Sequence, residues 1–275
     1  MSTQDVILTG VIFLVALLYS SVGHGGASGY LAALGIAGIA PAVMRPAALV
    51  LNILVAGMAT IRFSRAGHLR WATFWPFAIA SIPFAFFGGR LSLPGAWYKA
   101  VLGAVLVFSA VRMLMKTAIG ADAPTRSIPV APAMATGGAI GLLSGLTGVG
   151  GGIFLSPLLL FLKWSEMRQT AATSAAFILV NSIAGLAGRF SDGGGLAWPV
   201  LPWIVAAGIG GAIGSTLGSR RLQTATIKRL LAAVLLLGGI MLIRDAISGS
   251  SSVRRRLACP LPRIEFPSDS QPIRV

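Results

Sequence analysis

Long apolar runs dominate the chain. Residues 6–44, 46–61, 71–89, 100–111, 130–162, 169–188, 193–219 and 230–243 hold no Asp, Glu, Lys or Arg. A bilayer core takes about 20 apolar residues of helix, and these runs lack the alternating pattern of barrel strands, so a bundle of membrane-spanning helices is expected. The polar positions that punctuate them predict segments at 5–22, 26–41, 44–63, 71–90 and 97–116, then at 130–147, 150–163, 167–189, 198–219 and 228–245.

Two runs are interrupted by glycine where lipid is expected: "GHGG" at 23–26 and "GVGGG" at 148–152. Glycine weakens helices, so these stretches predict broken helices. The freed N–H and C=O groups of a broken membrane helix are tolerated only inside protein or beside a watery cavity.

The two interruptions belong to a larger correspondence. "RFSRAGHLRW" (62–71) matches "RFSDGGGLAW" (189–198), "MR" (44–45) matches "MR" (167–168), and Lys99 matches Lys228. The matches keep their order, with offsets between 123 and 129. This order implies duplication, with a first repeat over 1–127, a second over 128–247 and a polar tail over 248–275. Ten crossings collect Arg62, Arg65, Arg70, Arg112, Lys116, Arg126, Lys163, Arg168, Arg220, Arg221, Lys228 and Arg229 on one side, against Arg45, Arg90, Lys99 and Arg189 on the other. Eight crossings divide the same residues seven to nine. The positive-inside preference therefore favours ten crossings and inverted repeats, with the loops at 64–70 and 220–228 cytoplasmic and both termini outside. The expected fold is all-α: a polytopic transmembrane helical protein of two inverted repeats, each with a broken or short Gly-rich helix.

Composition agrees with membrane residence: 275 residues are 55% hydrophobic and 11% charged, with a mean hydropathy of +0.84. The net charge of +15 is spread singly through short loops, which argues against a nucleic-acid partner. Only Arg254–Arg256 form a cluster, in the tail beside the single cysteine, Cys259. The first apolar run lacks a basic leader and a clear cleavage site, so it is read as a span. No phosphate-binding G-x-x-x-x-G-K-[ST] motif is present; no cofactor, metal or catalytic group is expected, and the energy is expected from an ion gradient or the substrate's own gradient, with a partner subunit as the alternative.

All seven acids (Asp5, Asp122, Glu166, Asp192, Asp245, Glu265 and Asp269) fall in loops or at span ends, which disfavours a cation carrier. Matched short helices with positive N-termini suit an anion at mid-membrane. The candidate binding residues are Gly23, Gly25, Gly26, Gly148, Gly150 and Gly151, whose backbone lets the substrate approach. His24 and Thr147 add side-chain hydrogen bonds, and Asn52, Thr173, Ser174 and Asn181 line the same cavity from neighbouring spans. Arg45 and Arg168 open matched helices and suit an anion, or else anchor at the headgroups. Arg62 and Arg189 close those helices as anchors. Gly137, Gly141 and Gly145, like Gly210, Gly214 and Gly218, have the spacing of helix-packing glycines.

The chain resembles the TauE/SafE sulfite exporter family, also called the toluene sulfonate uptake permeases. The likeness rests on "SVGHGGASGYLAALGI" and "MRPAALVLNILVAG" in the first half, and on "GLLSGLTGVGGGIFLSPLLL" and "QTAATSAAFILVNSIAGL" in the second. The resemblance implies a multi-pass transporter of the bacterial inner membrane for sulfite, sulfonates or related organic anions. Its partners would be a small anionic substrate and the bilayer, and a coupling ion and a homo-oligomer are compatible with it. His24 stands where the second half has Val149, so the halves are not chemically equivalent. Two other readings stay open: a passive anion channel, and an intramembrane serine protease using Ser28 of "GASG" (26–29), which needs a histidine from another span.

Overall fold

A computed structural model describes residues 3–21, 23–114, 127–191, 200–218, 235–237 and 239–247. The tail at 248–275 and the loops at 115–126 and 220–228 lie outside the described residues. So do parts of the expected spans at 198–219 and 228–245.

Among the described residues the chain is α-helical without strands. The helices are α1 (Thr3–Ser21), α2 (Ala27–Ile36), α3 (Pro41–Arg65), α4 (Trp71–Arg90), α5 (Gly95–Leu114), α6 (Val130–Thr147), α7 (Gly152–Phe161), α8 (Met167–Ser191) and α9 (Val200–Gly218). By length and composition, α1, α3, α4, α6, α8 and α9 can each cross a membrane. This is a multi-pass membrane fold. Helices α2 and α7, at 10 residues each, measure only about 15 Å.

The short helices end earlier than expected because each closes in the same backbone turn. The N–H of Ile39 bonds to the carbonyl of Leu34 and that of Trp164 to the carbonyl of Leu159, the six-to-one bond of a Schellman motif. The left-handed residue is Gly38 in one turn and Lys163 in the other. The turn recurs at an offset of 125 even though one member is not glycine.

Contacts along the helices fix their directions. Phe13 and Leu17 of α1 meet Gly210 and Gly214 of α9 in rising order, and Leu54 and Met58 of α3 meet Gly208 and Gly211. Helices α1, α3 and α9 therefore run parallel. Phe77, Ser81 and Ala85 of α4 meet Gly137, Gly141 and Gly145 of α6 in the same manner, so α4 and α6 are also parallel. By contrast, Leu49, Asn52 and Gly57 of α3 meet Gly185, Ser182 and Leu179 of α8 in falling order; α3 and α8 are antiparallel.

Since α1 and α3 point the same way, the chain between them must travel back. It does so along α1: Ser28 bonds to Tyr19, Gly29 packs on Val15, and the Gln4 side chain reaches the carbonyl of Ala37. The break and α2 together make the return, and the segment does not turn back to its own side.

Helices α3 and α8 are the most enclosed. The outer helices turn apolar stripes outward, as with Leu201, Val205, Ile209 and Ile213 at four-residue spacing on α9, the pattern of a lipid-facing surface. Between helices, Gly137, Gly141, Gly145, Gly210 and Gly214 let backbones touch: a Cβ at any of them would collide with a carbonyl of the facing helix. These are the contacts expected of small residues in membranes.

Candidate functional site

The breaks are built by the glycines that end α1 and α6. Gly23, at φ 78, donates to the Ser20 carbonyl while the His24 N–H reaches the Tyr19 carbonyl. These two bonds form a Schellman turn that closes α1. Gly148, at φ 83, closes α6 by a single bond to the Ser144 carbonyl. An L side chain at either φ would be strained. Gly26 and Gly151 are the N-caps of α2 and α7, and neither supplies a side-chain cap.

The two breaks enter from opposite ends and meet halfway. Gly23 lies against Ala171, near the start of α8, and Gly148 lies against Arg45, near the start of the antiparallel α3. Gly25 and Gly150 converge on the same two residues: a Cβ on either would fall within 2.9 Å of both the Asn52 amide and the Ile178 side chain. Asn52 and Ile178 stand at the midpoints of α3 and α8.

Asn52 joins the breaks. Its Oδ1 accepts the Ala27 N–H at 3.0 Å, the first donor of α2, and its Nδ2 donates to the Val149 carbonyl at 3.3 Å and to Ser182 Oγ at 3.4 Å. Its amide is thus engaged with both breaks at once. On α8 three buried polar atoms lack a partner among the described residues: Thr170 Oγ1, Thr173 Oγ1 and Asn181 Oδ1. Asn181 Nδ2 is tied to the Phe177 carbonyl of its own helix.

His24, half-buried, reaches across to the second half. Its Nε2 lies 3.1 Å from Ser156 Oγ on α7, which lies 2.7 Å from Ser174 Oγ on α8. Thr147 is buried; its hydroxyl donates to the Leu143 carbonyl at 2.6 Å and accepts the Val149 N–H at 3.4 Å.

The arginines separate. Arg45 is buried, and its guanidinium donates to the carbonyls of Gly88, Gly89 and Leu91 at 2.5–2.8 Å. It closes the C-terminal end of α4, where a cation complements the helix dipole. Its Nε faces no described partner. Arg168, its match in sequence, is exposed. Arg62 ties α3 to α9 through the Ala212 carbonyl, Ser215 and Thr216, and Arg189 is half-buried at the end of α8.

Thus the structure gathers Gly25, Gly26, Asn52, Gly150 and Gly151 at one point, with His24 and Ser174 close by, while Arg168 lies apart. Ser156, Ser182, Tyr19 and Ile178 are participants that the sequence reading passes over. The protease geometry is absent: Ser28 Oγ bonds to Tyr19 Oη at 3.0 Å, and the histidine of the same break engages Ser156.

Comparison with known proteins agrees with this architecture. The family model described as "Sulfite exporter TauE/SafE" matches residues 8–242. The probable membrane transporter protein y4hK of Sinorhizobium fredii is 39% identical over 252 residues, covering 88% of this chain and all of that protein. The probable membrane transporter protein ORF9 of Sinorhizobium sp. is 28% identical over 238 residues, covering 84% of this chain and 89% of that protein. A partial match, 32% identical over 39% of both chains, is the probable membrane transporter protein YunE of Bacillus subtilis. No solved structure matches the chain. With the match running from α1 to the last described helix, the chain belongs to the TauE/SafE sulfite exporter family and is a membrane transporter.

Proposed function

We propose that the protein carries small anions, sulfite and sulfonates foremost, across the bacterial inner membrane through a site where the two glycine breaks meet. The observation that carries this reading is the convergence of Gly25 and Gly150 on Asn52, with α2 and α7 both starting there. Two helix N-termini at the middle of the bundle place partial positive charge and backbone donors where an anion can use them. The interior carries no carboxylate among the described residues: Asp5, Glu166 and Asp245 stand at helix ends or in loops.

The fold also supports two inverted repeats, 1–127 and 128–247. The helices that correspond in sequence, α3 and α8, run antiparallel. Exchanging the halves turns the α1–α9 contact into the α6–α4 contact and leaves α3–α8 unchanged. By these directions Arg62, Arg65, Arg70 and Arg168 lie at one end and Arg45, Arg90, Lys99 and Arg189 at the other. These two groups balance at four each, and it is the twelve-to-four count over the whole sequence that favours the cytoplasm for the end with Arg62.

Reconstitution tests the reading. Proteoliposomes should show saturable uptake of sulfite or methanesulfonate and far less of acetate or sodium. Large single-channel currents would replace the carrier with a passive channel, and flux of cations alone would overturn the anion site.

A further inference from the structure

The first turn of α2 carries a hydroxyl with no acceptor. Tyr30 Oη is fully buried and lacks a partner among the described residues. A helical side chain slants back toward the N-terminus and covers the turn before its own Cα. Tyr30 accordingly lays its ring over Gly26, four residues earlier: a Cβ there would stand 2.8 Å from both Cζ and Oη of the phenol. The phenol tip is thereby brought to the N-terminal end of α2, at the first break.

Backbone donors are left at the same end. The first bond within α2 runs from the Tyr30 N–H to the Gly26 carbonyl at 3.0 Å, so the N–H groups of Ser28 and Gly29 find no carbonyl inside the helix. The Ala27 N–H is taken by Asn52, and Ser28 Oγ donates to Tyr19 Oη. The second break is built differently. Leu155 occupies the place of Tyr30 at the offset of 125 that relates "GHGG" to "GVGG", and Ile140 and Phe177 close the space over Gly151, where a Cβ would stand 2.9 Å from each side chain.

A buried polar group without a partner costs free energy, and a transported ligand is a partner that comes and goes. We infer that the Tyr30 hydroxyl donates directly to the anion, so that the substrate is held against the first break and the two breaks are unequal. This inference rests on the proposed anion site at the breaks. A phenol stays protonated at neutral pH, so the group donates without carrying charge. A sulfonate or sulfite has several oxygens and can take the phenol and the amides of the α2 turn together.

The test uses the full chain in lipid nanodiscs, with methanesulfonate as the probe. Tyr30→Phe removes the hydroxyl and keeps the ring. The dissociation constant of methanesulfonate, read by calorimetry, should rise by roughly tenfold on loss of one hydrogen bond to a charged group. Without methanesulfonate the unfolding midpoint should hold or rise, because an unpartnered buried hydroxyl has been removed. Weaker binding together with a lower midpoint would assign the hydroxyl to packing and overturn the inference. If methanesulfonate binds the wild type and Tyr30→Phe equally, the role of Tyr30 is overturned and the anion site stands. If the wild type binds neither methanesulfonate nor sulfite, the anion site fails and the role of Tyr30 with it. A second measurement needs no variant: the chain has three tyrosines, and in protein carrying carbon-13 at tyrosine Cζ, methanesulfonate should shift the Tyr30 signal. Saturating methanesulfonate that shifts none of the three signals would equally overturn the inference.

Discussion

Asn52 accepts the Ala27 N–H at 3.0 Å, and this one bond fixes the start of α2 against the middle of α3. The same amide donates to the Val149 carbonyl, so removing it strips a partner from each break. An unmatched buried polar group costs about 1–3 kcal/mol. Asn52→Ala should therefore destabilise by about 2–4 kcal/mol, measured by thermal unfolding in detergent, and should cut flux more than Ser182→Ala, which removes only a 3.4 Å contact. Equal flux losses would separate Asn52 from the breaks.

Glycine replacements should divide by location. Gly150→Ala brings a Cβ within 2.5 Å of Asn52 Nδ2 at a φ of 84, and Gly25→Ala brings one within 2.5 Å of Asn52 Oδ1. Both should insert in the membrane and lose transport. Gly57→Ala meets only Leu179, at 3.7 Å, and gains helix propensity, so it should keep transport and stabilise by up to about 1 kcal/mol. Gly214→Ala drives a Cβ into the Leu17 carbonyl and should lower stability first. Membrane yield, unfolding midpoint and flux measured on all four give the comparison.

Arg45 and Arg168 should behave differently despite their matched places in the sequence. Arg45→Ala leaves three carbonyls at the end of α4 without donors and should cost about 2–4 kcal/mol. Arg45→Lys should rescue little, because a single ammonium lacks the guanidinium fork. Arg168→Ala, at an exposed position, should move stability by less than about 0.5 kcal/mol. Unfolding midpoints decide it.

Much of this was within reach of the sequence because helix termination is local. The turn that closes α1 involves only Tyr19, Ser20, Gly23 and His24, and its signal is a glycine run in an apolar stretch. The partners of Arg45 lie 43–46 residues away, so its service to α4 has no local trace. Ser156 is legible only as a small polar residue in "GIFLSPLLLF"; its link to His24 spans 132 residues. Asn52 reads as a cavity-lining residue, whereas the fold engages its amide with backbone and with Ser182.

Helix direction makes a further expectation that labelling can check. In a Cys259→Ser background, Ala66→Cys and Glu166→Cys should be labelled from one face of the membrane, and Ser92→Cys from the other. All four positions are in loops or the tail, so the substitutions should not disturb the bundle. Labelling of Ala66→Cys and Ser92→Cys from the same face would contradict the single crossing of α4.

Backbone-to-backbone contact at glycine has a mechanical consequence. Helix α4 is pressed onto α6 through Gly137, Gly141 and Gly145, and α1 onto α9 through Gly210 and Gly214. Each weld joins a helix of the first half to one of the second. These close-packed pairs therefore cross between the two halves of the chain, and a cut between α5 and α6 would part each of these helices from the partner whose backbone it fits.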